Sequence, residues 1–293
     1  MEKILITGST GFIGKHLVKK LKKHKIIELS NCVKKKRNHI KKNISTLSVN
    51  DIPKDITCII HLAAMSDITL CNTNPDKCFR VNVIGTQKIL EIAKKINAKV
   101  IFISSSHVYG NPEKNPISEN SKLKPSSMYG TSKMLGEELC KKYSEFFKLD
   151  ISVVRLFSVY GPNSPKHLVI NKIITNAIES KKIELGNIFP RRDFVYIDDV
   201  INGIEKIMNE TKKFQIFNIG TGKSHSIKKV HKIIEKHCKK KIPIHIQKTL
   251  LRNNEIKNVR ANINKLKRVG WNSKIELNEG LKKTINWYVL QKD

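Results

Sequence analysis

A chain of 293 residues is long enough to bury a core without metals or disulfides, and its 56 Lys plus Arg against 25 Asp plus Glu give a formal charge of +31. That charge is spread in pairs such as Lys19-Lys20, Lys94-Lys95, Lys181-Lys182 and Lys212-Lys213, which reads as solvated helix faces and leaves nucleic-acid binding as a minor alternative. The 6 Cys form no CxxC pair, and no apolar run approaches about 18 residues, so the expectation is a cytoplasmic protein with free thiols, no metal site and no membrane partner.

In chain order, apolar runs of strand length fall at ILIT (4–7), IIEL (26–29), TCIIHLA (57–63), KVIFISS (99–105) and DISVVRLF (150–157). Between them lie stretches with apolar residues at helical spacing, notably 78–96 and 128–147. Near-continuous apolar strands alternating with helices predict an α/β fold, a doubly wound parallel Rossmann-type sheet covered on both faces. After residue 160 come a Gly-Pro-Asn turn, isolated helices and short strands, QIFNI (215–219) and IPIHIQ (242–247). This change predicts a dinucleotide-binding domain over 1–160 and a smaller interleaved C-terminal lobe over 161–293, part of which returns to the first domain. The ligand site is expected in the cleft between them.

The first strand runs into TGSTGFIG (7–14), where Gly8, Gly11 and Gly14 keep GxxGxxG spacing. The first glycine lets the chain leave the strand sharply, the second lets backbone approach a diphosphate, and the third lets helix pack on strand. Phe12, Ile13 and Gly14 then open a helix whose free N–H groups face the phosphates. A carboxylate at the end of the second strand would hold the adenosine ribose, but Ser30 and Asn31 stand there, with Lys34, Lys35, Lys36 and Arg37 just beyond. Cations without a carboxylate suit a 2′-phosphate, so NADP and NAD both stay open; a solvated basic loop explains the same residues equally well.

In SSMYGTSK, Tyr129 and Lys133 are four residues apart on one helix face. An ammonium beside a phenol favours the phenolate and makes it a usable proton exchanger, and the lysine also reaches ribose hydroxyls. Upstream, SSSHVYG puts Ser104, Ser105 and Ser106 at the carboxyl end of a strand, where such sheets bind ligands.

These motifs, with HLAA (61–64), VNVIGT (81–86), RLFSVYGP (155–162), RRDFVYIDDV (191–200) and FNIGTG (217–222), make nearly the whole chain resemble the extended short-chain dehydrogenase/reductases, the NAD(P)-dependent nucleotide-sugar epimerases, dehydratases and reductases. The resemblance implies that Leu62, Ala63 and Ala64 line the cofactor together with Tyr129 and Lys133, and that Asn82 supports the active-site helix beside it. It implies Ser105 as the catalytic hydroxyl, with Ser106 second, and Arg192 and Arg252 as clamps on the diphosphate of a nucleoside-diphosphate sugar. It further implies a homodimer built on helices 78–96 and 129–147.

The pattern departs from the family at two places. Ser158 replaces the usual Asn at the substrate, and Ser106-His107 stand where the related 4,6-dehydratases carry the Asp-Glu pair that removes the C5 proton. Dehydration is therefore not expected, and His107 is left as a substrate contact or a packed histidine. The short stretch between Gly161 and Arg192, with the missing ribose acid, favours reduction of an NDP-4-keto-6-deoxyhexose at C4. The alternative is 4-epimerisation of an NDP-sugar, with the same residues and tightly bound NAD.

Overall fold

In a computed structural model, which describes residues 1–32, 38–179, 182–251 and 255–291, the five apolar runs up to residue 157 become strands of one parallel sheet, and shorter strands form small sheets beside it. The strands are β1 (Lys3–Thr7), β2 (Lys25–Ser30), β3 (His39–Lys41), β4 (Cys58–His61), β5 (Lys99–Ser105), β6 (Ile151–Leu156), β7 (Ser158–Tyr160), β8 (Ile183–Leu185), β9 (Arg191–Arg192), β10 (Phe194–Tyr196), β11 (Phe214–Ile219), β12 (His225–Ser226), β13 (Ile244–Ile246) and β14 (Asn258–Val259). The helices are α1 (Phe12–Lys20), α2 (Ile68–Thr73), α3 (Pro75–Phe79), α4 (Gly85–Ile96), α5 (Met128–Phe147), α6 (Val169–Ile178), α7 (Ile197–Glu210), α8 (Ile227–Cys238), α9 (Asn264–Arg268) and α10 (Leu277–Leu290).

Seven strands pair in the order β11-β6-β5-β4-β1-β2-β3, every pair parallel. Side chains alternate across the strands, so Ile4, Ile6 and Ile60 join one core while Leu5, Ile59 and Phe102 join the core on the opposite face. The order reverses between β1 and β4, which opens a crevice at the carboxyl ends of the strands. Among the described residues no helix is long and apolar enough to cross a membrane.

One sequence expectation gains a location and another needs correction. The run QIFNI, from the part of the chain of which segments were expected to return to the first domain, is β11, an edge strand of the main sheet paired with β6 in the register Gln215↔Ser152 and Phe217↔Val154. A short apolar run does not say which sheet it joins; long-range pairing decides. The helix expected over 78–96 is interrupted: α3 runs into a π-turn at Arg80–Ile84 before α4 begins. The wider turn carries the fully buried Asn82, a feature that apolar periodicity alone does not reveal. In contrast, α5 spans the residues that the pattern marks, and Ser127 caps it by accepting from Gly130 N at 3.1 Å.

One buried carboxylate joins three segments of the C-terminal half. Asp193, between β9 and β10, accepts from Thr221 N at 2.7 Å, Thr221 Oγ1 at 2.7 Å, Gly222 N at 2.9 Å and Ala261 N at 3.0 Å. Burial holds its pKa above the usual carboxylate value, and these four bonds offset only part of that rise. The arrangement ties the β9–β10 corner to the end of β11 and to the segment after β14. Asp193→Asn, which turns one acceptor into a donor facing backbone N–H groups, is expected to lower unfolding free energy by about 2 kcal/mol in urea denaturation.

Candidate active site

The glycine loop is built by contacts that only glycine tolerates. Gly8 has φ +69°, and a Cβ there would lie 2.9 Å from Ala63 N; a Cβ on Gly14 would lie 2.3 Å from Gly8 O. Helix α1 is thereby pressed onto the end of β1. Its N-cap Gly11 offers no side-chain cap and its first turn no acid, which leaves the N-terminal N–H groups for an anion. Behind the loop, Thr7 Oγ1 accepts from Ala63 N at 3.1 Å and lies 2.8 Å from His61 Nδ1, whose Nε2 is 3.1 Å from Thr86 Oγ1. Burial pushes the His61 pKa down to about 3, so this network stays neutral. The cradle fits a dinucleotide diphosphate.

Phe12, Ile13, Ser30, Asn31, Leu62, Ala63 and Ala64 line the same cleft as Gly8, Gly11 and Gly14, as do Ser105, Tyr129 and Lys133. Its volume is about 1170 Å³. At the ribose end, Ser30 Oγ donates to Cys32 O at 3.3 Å and lies 2.9 Å from His39 Nε2. Nearby Lys42, also on the cleft wall, is engaged by Asp51 at 2.8 Å. The cations Lys34, Lys35, Lys36 and Arg37 lie outside the described residues.

Strand alternation sorts the three serines. All three border the cleft; Ser104 donates to Glu137 Oε1 at 2.5 Å, whereas Ser105, on the opposite face of the strand, lies beside the Tyr129 hydroxyl and lowers its pKa against burial. The Ser105 hydroxyl further accepts from His107 N at 3.3 Å. The His107 ring meets the Tyr129 ring edge-on at 5.7 Å, so it walls the reacting hydroxyls. Asn82 does not border the cleft. It supports the site from behind, accepting from Met65 N at 2.8 Å and donating to Met65 O at 3.0 Å and to Ser132 Oγ of α5 at 2.9 Å.

The expected electrostatics of the Tyr–Lys pair is corrected here. Burial pushes the Tyr129 pKa up to about 12, with the Ser105 hydrogen bond pulling the other way, and the ammonium of Lys133 is not among the groups that shift it. Burial likewise brings the Lys133 pKa down to about 8. Its ammonium lies 4.5 Å over the Phe102 ring, a cation–π contact that partly replaces water.

Across the cleft, Ser158 and Arg192 border the substrate side. The Arg192 guanidinium donates to Ile256 O at 2.7 Å and to Arg191 O at 3.0 Å, and lies 3.7 Å from Glu255. Arg252 lies outside the described residues. The sequence reading missed Asp67 and His167, 3.8 Å apart on facing walls of the cleft, and it missed Glu137. Only Glu137 had a local signal, being one further helical turn beyond Lys133.

A phenol and a serine hydroxyl in one cleft with a diphosphate loop are what reversible exchange of a proton and a hydride at a carbinol requires, and they place the chain among the nicotinamide-dependent enzymes of the Rossmann fold. Residues 4–220 match the NAD dependent epimerase/dehydratase family, and the chain belongs to that family. It is 31% identical over 291 residues to an uncharacterized UDP-glucose epimerase of Bacillus subtilis, covering 91% of each chain. It matches the UDP-glucuronic acid 4-epimerase of Bacillus cereus, solved with UDP-glucuronic acid and NAD, at TM-score 0.92 and 27% identity over 99% of both chains. MoeE5 in complex with UDP-glucose and NAD matches at TM-score 0.94 and 25% identity, with coverage of 99% of this chain and 100% of that one.

Gly14→Ala forces the loop or α1 to shift, because its Cβ would meet backbone rather than a flexible side chain. The variant is expected to lose at least tenfold in NAD affinity, read by isothermal titration, while its circular dichroism stays close to that of the parent.

Proposed function

We propose that the protein is a UDP-sugar 4-epimerase that keeps NAD through the catalytic cycle. The observation that carries this reading is the juxtaposition of Tyr129, Ser105 and Lys133 in the cleft that holds the glycine loop. The argument for a reductase from the short stretch before Arg192 loses its force, because a 4-epimerase of the same fold is covered over 99% of its length by this chain. The engaged Lys42 beside Ser30 speaks for NAD. The neighbours bound to UDP-glucose or UDP-glucuronic acid together with NAD support both the cofactor and the nucleotide.

When bound, oxidised nicotinamide supplies a reversible hydride acceptor and a positive charge next to the reacting carbon. The glycine loop and the N-terminus of α1 hold the dinucleotide diphosphate. In its phenolate form Tyr129 Oη takes the proton of the sugar 4-hydroxyl and later returns it, while Ser105 Oγ hydrogen-bonds the same oxygen and keeps it aligned. Lys133, four residues along the same helix face, orients the ribose. His107 shields the reacting hydroxyls on one side. After oxidation the 4-keto sugar turns within the cleft, so that the returned hydrogen enters from the other face.

Reduction of a 4-keto sugar would use the same three side chains, and Ser30 in place of a ribose carboxylate favours that second reading. The cofactor separates the two. Denatured protein is expected to release about one NAD per chain, and the native protein to interconvert UDP-glucose and UDP-galactose, or their uronic acids, with no cofactor added. NADPH-dependent consumption of a 4-keto sugar by protein purified without nucleotide would replace this reading with the reductase. Tyr129→Phe is expected to retain NAD and lose at least 1000-fold in kcat, the size expected where one group supplies most of the proton transfer. Because Lys133 is charged only below about 8, kcat is expected to fall as pH rises through that value.

A further inference from the structure

Behind the reacting hydroxyls lies a buried charged cluster that the mechanism above does not use. Glu137, one helical turn beyond Lys133 on α5, is 4% exposed and Arg155 of β6 is 2% exposed. Arg155 Nη2 donates to Glu137 Oε2 at 2.6 Å and Arg155 Nε donates to both carboxylate oxygens, at 3.0 and 3.1 Å. On the other side Ser104 Oγ donates to Glu137 Oε1 at 2.5 Å. Arg155 Nη1 continues the chain by donating to Tyr109 Oη at 2.9 Å and to Glu119 O at 2.8 Å, and Tyr109 Oη donates to Asn218 Oδ1 at 2.7 Å.

We propose that Glu137 is a positioning residue for proton transfer: its carboxylate fixes the Ser105-bearing end of β5 against the Tyr129–Lys133 face of α5 and supplies the negative charge that keeps the buried Lys133 ammonium protonated. This rests on the assignment of Tyr129, Ser105 and Lys133 to proton exchange. Phe102 and Ser104 point to the same face of β5, and α5 lays two successive turns over them, Lys133 on Phe102 and Glu137 on Ser104. Ser105, the next residue, is thereby aimed at Tyr129. The tie at Ser104 acts on the position of Ser105 together with the direct contact from His107 N.

The charge argument follows from what surrounds Lys133. Tyr129, Cys140 and Glu137 face it from α5, Cys71 from α2, Cys78 from α3 and His61 from β4. Burial holds Cys71 and Cys140 well above the usual thiol range, and His61 is held neutral. Glu137 is the carboxylate among these groups, and without it burial would drive the Lys133 proton off at lower pH. Arg155 and Ser104 both donate hydrogen bonds to the Glu137 carboxylate, which holds it in place beside Lys133 on α5.

The test compares parent holoenzyme with Glu137→Gln, Ser104→Ala and the double variant E137Q/R155M, in which no charge is left unpaired in the core. Two readouts are taken over a pH series: kcat and KM, and the titration of Lys133 by competitive acetylation with trace acetic anhydride, mapped by peptide mass spectrometry. Glu137→Gln is expected to move the alkaline limb of kcat and the Lys133 titration down together by about one pH unit, and to lower kcat about tenfold or more with KM little changed. The double variant should show the same shift, and Ser104→Ala should lower kcat with the limb unmoved. A Lys133 titration unchanged in both Glu137 variants overturns the charge role, and a Ser104→Ala kcat equal to the parent's overturns the tie. Acetylation reads Lys133 without turnover, so a parent inactive on UDP-sugars would defeat the epimerase reading while the Lys133 shift still decides the role of Glu137.

Discussion

Helix α5 lies against β5 with almost nothing between them, and the chemistry depends on that approach. A Cβ on Gly136 would be 2.7 Å from the tip of the Phe102 ring, so the helix backbone comes as near to the strand as a glycine permits. Glycine inside a helix costs about 1 kcal/mol relative to alanine, and here it brings Tyr129 of the helix to Ser105 of the strand. Two hydroxyls exchange a proton only at hydrogen-bond distance. The same approach closes α5 over Ser104, which is why a charged pair can be sealed there with its hydrogen bonds satisfied.

Burial makes the site rigid and also opposes its own charges. The burial that orients Tyr129 and Lys133 holds the phenol near 12 and brings the ammonium near 8. A dry site gains strength for each favourable charge contact and loses it for each unmade one. The neighbours that offset this, namely Ser105 at the phenol, the Phe102 ring under the ammonium and Glu137 one turn along, all come from β5 or α5. The β5–α5 pair is therefore both the frame of the site and its electrostatic environment.

The surplus of +31 charges is handled differently at the cleft than on the outer helix faces. On the cleft wall, Lys42 meets Asp51, Arg192 meets Glu255 and His167 stands beside Asp67. Paired cations fix wall geometry and still present donors to a diphosphate, whereas the exposed lysines act at a distance by drawing anionic nucleotides toward the protein.

Much of this was legible in the sequence by itself. The glycine spacing of TGSTGFIG, the strand 99–105 and the helix 128–147 each follow from local rules, either a backbone position that only glycine tolerates or a repeat of two or about 3.6 residues, and the folded chain keeps all three. The tertiary structure alone decided that 214–219 pairs with β6, that a π-turn carrying Asn82 interrupts the helix, and that Ser104 and Ser105 point opposite ways, one to Glu137 and one to Tyr129. It also decided that burial, rather than the ammonium four residues away, governs the acidity of Tyr129. The physical reason is common to all four: periodicity reports which face a residue occupies, while pairing, depth and the distance between hydroxyls on separate segments exist only once the chain has packed.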